Sequence, residues 1–140
     1  NKMGTRSLTV FKESEGKEIC VMYRQFDGYP SGHGLELANY LAGIKMVNGI
    51  TPGTEKGAIA NGMGCLAAQV IAHFKKGVGE IYIEPANTRD CGEEYIYTVS
   101  GVVGEEPEII IADSEGKRFF QGFASDVKGQ IESMDKDEEG

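Results

Sequence analysis

The sequence predicts an α+β fold: a mostly antiparallel sheet with two helices on one face, in the order ββααββββ. Three observations carry this. Short runs rich in β-branched and aromatic residues open the chain and fill its second half, bounded by glycine-bearing and acidic turns. Two segments between them, residues 34–41 and 63–76, carry apolar residues at helical spacing. Strands grouped apart from helices favour an α+β layer arrangement over alternating parallel units.

The chain has 140 residues, 40% hydrophobic and 26% charged, which is single-domain length with enough apolar material for its own core. Residues 1–134 are read as one domain. Residues 135–140 are read as an acidic tail, a solvated end crowded with Asp135, Asp137, Glu138 and Glu139.

Residues 7–12 and 18–26 form an opening hairpin around the polar turn 13–17. The second strand alternates Cys20, Met22, Arg24 and Phe26 with Ile19, Val21, Tyr23 and Gln25, so both faces are largely apolar and a covered position inside the sheet is expected. Asp27-Gly28-Tyr29-Pro30-Ser31-Gly32-His33-Gly34 then breaks the strand with turn chemistry. Leu35, Ala38, Leu41 and Ala42 recur every three or four residues and predict the helix at 34–41. Residues 43–60, with Pro52 and repeated glycines, predict an irregular connection with one helical turn at 44–47. Asn61 is the expected N-cap of the second helix, 63–76, apolar nearly all round up to Phe74 and so buried on most sides. Strands follow at 80–84, 95–103, 108–112 and 117–123. Asp113-Ser114-Glu115-Gly116 joins the last two, and Ser125 caps a short terminal helix through Ile131.

The formal net charge of −8 argues against general binding to duplex nucleic acid, which needs clustered lysine and arginine. A locally positive pocket stays compatible with it. Cys20, Cys65 and Cys91 are odd in number and lack C-x-x-C spacing, which predicts reduced thiols rather than a disulfide framework or a zinc site. The longest apolar run, 65–72, is too short to span a bilayer, and no signal-peptide pattern is recognised, so a cytoplasmic protein without a membrane partner is expected.

Candidate chemistry concentrates where both predicted helices begin in glycine-rich sequence, Ser31-Gly32-His33-Gly34 and Asn61-Gly62-Met63-Gly64. Helix starts present unpaired N–H groups and partial positive charge, and glycine lets an anion approach the backbone. The competing reading is that these glycines serve tight turns and close helix-to-sheet packing. Arg24, at the strand end, needs an acceptor: a carboxylate such as Asp27 or Glu36, or a ligand anion. Tyr29 either stacks on a base or packs on its own turn. His33, beside Ser31 and Asp27, invites a catalytic reading, but three polar residues in one turn rarely align for it, and a hydrogen-bonding role is expected. His73 is read as a core or helix-end histidine. Cys65, at the helix start, is expected to be buried and inert rather than activated by the helix dipole. The predicted ligand-binding set is Arg24, Asp27, Tyr29, Ser31, Gly32, His33, Asn61, Gly62 and Gly64, with no catalytic residue, metal or cofactor.

Met3-Gly4-Thr5-Arg6-Ser7, Tyr23 through Gly32, Val47-Asn48-Gly49-Ile50 and Ala60 through Gln69 resemble a family of small bacterial and phage proteins marked by GTRS and DGYPSG motifs. The resemblance covers most of the chain up to Tyr97 and implies context more than activity. Small phage proteins of this kind include sponges that capture nucleotide second messengers of host defence, often in pockets shared between subunits, which makes a homo-oligomer a subsidiary expectation.

The expected function is therefore non-enzymatic binding of a small anionic ligand, such as a cyclic or modified nucleotide, as an anti-defence sponge. Two alternatives stand beside it. One is a small hydrolase or phosphodiesterase using His33, and the other a protein-interaction or inhibitor module using the acidic tail or an exposed sheet edge.

Overall fold

The computed structural model describes residues 4–51 and 58–139, with the backbone alone for 135–139. The fold is α+β, as expected, but with three helices and two extra short strands among the described residues. The opening hairpin pairs β1 (Ser7–Lys12) with β2 (Glu18–Arg24). A π-helical turn over Pro30–Gly34 runs into α1 (Leu35–Leu41). After it come β3 (Lys45–Val47), β4 (Ile59–Asn61) and α2 (Gly62–Phe74). The second half holds β5 (Ile81–Glu84), β6 (Tyr95–Ser100), β7 (Glu108–Asp113), β8 (Arg118–Phe123) and α3 (Ala124–Glu139).

Six strands form one sheet in the order β5-β2-β1-β6-β7-β8, antiparallel throughout except for the central β1–β6 pair. β2 is internal, as its two apolar faces predicted. Phe11, Met22, Tyr97, Val99, Ile109 and Ile111 join the helical side chains Leu37, Leu41, Leu66, Val70, Val127 and Ile131 in one core, so all three helices cover one face. On the opposite face Leu8, Val10 and Val21 are buried, with Cys91 packed against them.

The order ββααββββ is corrected in three places, at β3, at β4 and at α3. The helical turn expected at 44–47 is the strand β3, paired in parallel with β4, because Lys45 and Met46 are tied to Ala58 and Glu105 through backbone hydrogen bonds of 2.9 and 2.8 Å. Residues 52–57 of the expected connection lie outside the described residues. The third correction is α3, which is longer than a short helix through Ile131 and carries the backbone of the acidic residues to Glu139. Its first turn is held by Glu106, whose Oε1 accepts from both the N–H and the hydroxyl of Ser125 at 2.6 Å, so Glu106 supplies the capping oxygen. Among the described residues no helix is long and apolar enough to cross a membrane.

Candidate functional site

Strand alternation sends Ser7, Thr9 and Phe11 of β1 to the helical face, where Arg24 stands opposite Ser7 and Tyr97 beside Thr9. Phe11 closes the row as pure core, while Ser7, Thr9 and Arg24 leave a polar strip at the end of β2. The turn after β2 folds onto this strip. Asp27 adopts φ of 59°, a left-handed conformation that Asp tolerates better than most residues, and its carbonyl oxygen accepts from His33 N–H at 2.8 Å. Gly28 lies so close to β1 that a Cβ there would come within 2.7 Å of Ser7 Cβ and 2.8 Å of the Thr5 carbonyl oxygen. At Gly32 a Cβ would meet the Asp27 carbonyl oxygen at 2.6 Å. These two glycines are therefore required by backbone approach within the protein.

His33 is fully buried in the middle of the strip. Arg24 Nη1 donates to its Nδ1 at 3.0 Å, and Nε2 lies 2.8 Å from Thr9 Oγ1. A guanidinium has no lone pair to offer, so Nδ1 is the acceptor and the ring proton sits on Nε2, donating to Thr9. Burial and the nearby Arg24 charge both oppose protonation and pull the His33 pKa down to about 3. Tyr97 meets the ring edge-on at 4.7 Å, and Phe74 lies 5.0 Å away. Arg24 is itself committed: Nε donates to the Phe26 carbonyl oxygen at 2.6 Å, Nη1 lies 3.1 Å from Glu36 Oε2, and the guanidinium stands 5.7 Å from the Phe74 ring centroid. The acceptor that the sequence asked for is thus Glu36, together with a backbone carbonyl and His33.

The nine predicted residues separate into two groups. Arg24, Asp27, Tyr29, Ser31, Gly32 and His33 come together around the turn. Asn61, Gly62 and Gly64 belong to the start of α2, and of all nine only Tyr29 and Ser31 line the cleft described below. Asn61 makes no side-chain cap to α2, contrary to expectation, because its Oδ1 accepts from Gly49 N–H at 2.7 Å and ties down the preceding loop. Gly62 holds φ of 83°, whereas the space beside Gly64 is open. At the start of the first helix, Gly32 N–H donates to the Tyr29 carbonyl oxygen at 3.0 Å, beside the His33-to-Asp27 bond, so these two amides are not bare. Cys65 is exposed, not buried, since Met63, Leu66, Ala67 and Val70 are the buried residues of α2, and its thiol donates to Gln69 Oε1 at 3.4 Å. His73 is likewise exposed at the helix end and stacks on Tyr40 with ring centroids 4.0 Å apart.

Beside the turn lies a cleft of about 260 Å³. Tyr29, Pro30 and Ser31 form one wall, Tyr95, Phe119 and Phe120 the sheet side, and Ile131 and Met134 of α3 the other wall. Ile111 faces Phe120 while Ala112 faces Arg118, so Phe119 is an extra residue on β8, and this bulge accompanies its place beside Tyr95 at a ring distance of 6.2 Å. Tyr95 and Phe119 also line a second, more open hollow with Glu94, Asp113, Ser114 and Glu115. The opening is aromatic on one side of this ring pair and acidic on the other. Among the described residues, no group of three His, Cys, Asp or Glu side chains is placed to hold a metal ion.

Sequence reasoning missed Thr9, Tyr95, Phe119, Ile131 and Met134 as site residues. Comparison with family models, with curated proteins and with solved structures gives no match. What fold and site define is a small α+β domain with an aromatic cleft built against a rigid, hydrogen-bonded turn.

Proposed function

We propose that this chain is a non-enzymatic binding protein that takes a small molecule with a planar aromatic group in the cleft between Tyr29, Tyr95 and Phe119. The observation that carries the proposal is the gathering of aromatic rings from three separate chain segments around one opening. Size supports it: an apolar cavity of about 150 Å³ holds benzene, so about 260 Å³ suits one or two fused rings. Binding is favoured over turnover because His33, the residue on which a hydrolase was to rest, is buried and spends both ring nitrogens on Thr9 and Arg24.

A nucleobase is one such planar group, and a sponge for a nucleotide signal is the form that the resemblance to phage proteins implies. The anionic part of that expectation has weaker support, because the turn amides and Arg24 have partners within the chain and the hollow beside the cleft is acidic. Titration of the isotopically labelled protein with nucleosides, cyclic nucleotides and simple aromatics tests the proposal. Backbone resonances of Ser31, Tyr95 and Phe119 are expected to move together. No shift at these residues with any member at millimolar concentration would remove the reading.

A second reading, a protein-contact module, is favoured by the sheet edge. Among the described residues β5 pairs only with β2, and Tyr82 and Ile83 on it are 46% and 67% exposed. Such an edge suits pairing with a second copy of the chain. Light scattering across a range of concentrations, with Ile83→Lys as the control, would show a dimer that the substitution dissolves, while a monomer throughout would count against it.

A further inference from the structure

We infer that the ligand of the aromatic cleft carries a positive charge, held by the carboxylates of Glu94, Asp113 and Glu115 beside the Tyr95–Phe119 ring pair. This inference rests on the cleft being the binding site and adds the ligand class. Tyr95 and Phe119 are common to the cleft and to the acidic hollow, so a group seated on these rings lies next to both. Asp113 is fixed in place, because its Oδ1 accepts from the N–H groups of Glu115 and Lys117 at 2.9 Å each. Those two bonds make the carboxylate a held charge rather than a swinging one.

Of the two neighbouring basic side chains, Arg118 is directed to another partner and Lys117 stands at the site itself. Arg118 Nη1 donates to Gln121 Oε1 at 3.1 Å along β8. Lys117 Nζ stands 5.5 Å from the Phe119 ring centroid, so this ring already accepts an ammonium group from within the chain. A ring face with negative charge beside it is the arrangement that recognises organic cations. The carboxylates are spread along a strand end and its turn instead of converging on a point, which suits an ammonium or amidinium carried on a ring system better than a bare metal ion.

Three indole compounds of nearly equal size separate the possibilities: tryptamine is cationic, tryptophol neutral and indole-3-acetate anionic. The chain contains no tryptophan, so indole fluorescence excited beyond the tyrosine absorption band reports each ligand. The expected order of affinity is tryptamine, then tryptophol, then indole-3-acetate, with steps of about threefold to tenfold at low salt that shrink as salt is added. The double variant Glu94→Gln/Glu115→Gln, both exposed positions, is expected to reduce the tryptamine advantage, with Asp113 retained, and to leave tryptophol binding unchanged. Lys117→Met, which removes the resident ammonium, is expected to strengthen tryptamine binding. Tryptophol binding with an equal or reversed charge order would overturn this inference and leave the aromatic cleft standing as the site. Failure of all three to bind would overturn the cleft as well.

Discussion

Tyr97 donates its hydroxyl hydrogen to the Gly28 carbonyl oxygen at 2.7 Å, joining the middle of β6 to the first glycine of the turn across 69 positions of sequence. Burial raises the phenol pKa well above its ordinary value, so the hydroxyl remains a donor throughout the working pH range. Tyr97→Phe keeps the ring against His33 and removes only this donor. It is expected to cost about 1–3 kcal/mol in urea unfolding, because a buried carbonyl loses its partner. A cost near zero would show that the bond does not hold the turn.

The buried imidazole gives a pH dependence with a definite sign. His33 titrates near 6.5 when unfolded and about 3 when folded, so between these values the unfolded chain binds more protons. Its stabilising effect is complete above about pH 6.5 and is lost as the pH falls toward 3, at no more than about 1.4 kcal/mol per pH unit. Glu18 and Glu106 resist the upward push of burial through hydrogen bonds, from Arg89 and Asn87 to the first and from Ser125 and Gly43 to the second. Their lowered pKa values add losses only as the pH falls below the ordinary carboxylate value of 4.5. A drop in the urea midpoint between about pH 6.5 and 5 is therefore the mark of His33. Its ring resonances should stay flat over the same interval, and a midpoint near 6 would contradict the burial argument.

Thr9→Val tests the other side of the imidazole. Valine preserves the branched shape on β1 but leaves the His33 Nε2–H without an acceptor, and a loss of about 1–3 kcal/mol is expected. The companion change Thr9→Ser retains the hydroxyl and is expected to recover most of that loss. Equal instability of the two variants would point to packing as the cause.

Two glycines should respond in opposite directions to the same substitution. Gly32→Ala drives a methyl group to 2.6 Å from a backbone oxygen and toward the Tyr29 ring, so it is expected to destabilise the fold by about 1–3 kcal/mol and to disturb the cleft. Gly64→Ala meets open space on an exposed part of α2 and is expected to stabilise it by up to about 1 kcal/mol. Thermal melts of both variants check the pair, and a destabilised Gly64→Ala would assign that residue a role its surroundings do not explain.

The parts of the fold legible in the sequence were those governed by neighbours in sequence. The β1–β2 hairpin and the β7–β8 turn follow from local turn chemistry, and Asp113 does cap the latter through its side chain. β3 and β4 were hidden because each has three residues and exists only through a parallel partner some fourteen positions away, as Lys45 faces Ile59. The site divides in the same way. The 27–34 turn declared itself through glycine, proline and Arg24, and close packing accounts for Gly28 and Gly32 without a ligand. Tyr95, Phe119 and Ile131 read as ordinary strand and helix hydrophobes, since only the bulge at Phe119 and the return of α3 across the turn bring them to one opening. Cys65 was misread because an apolar run does not tell which side of a helix faces the sheet.

The walls of the cleft come from residue 29 and from residue 134, so the opening has no existence until the chain has been made at least as far as residue 134 and α3 has docked. A nascent chain that already holds its first hairpin still lacks the far wall. Anything captured there selects chains on which α3 has docked, and by mass action it favours that closed arrangement of α3 over a detached one.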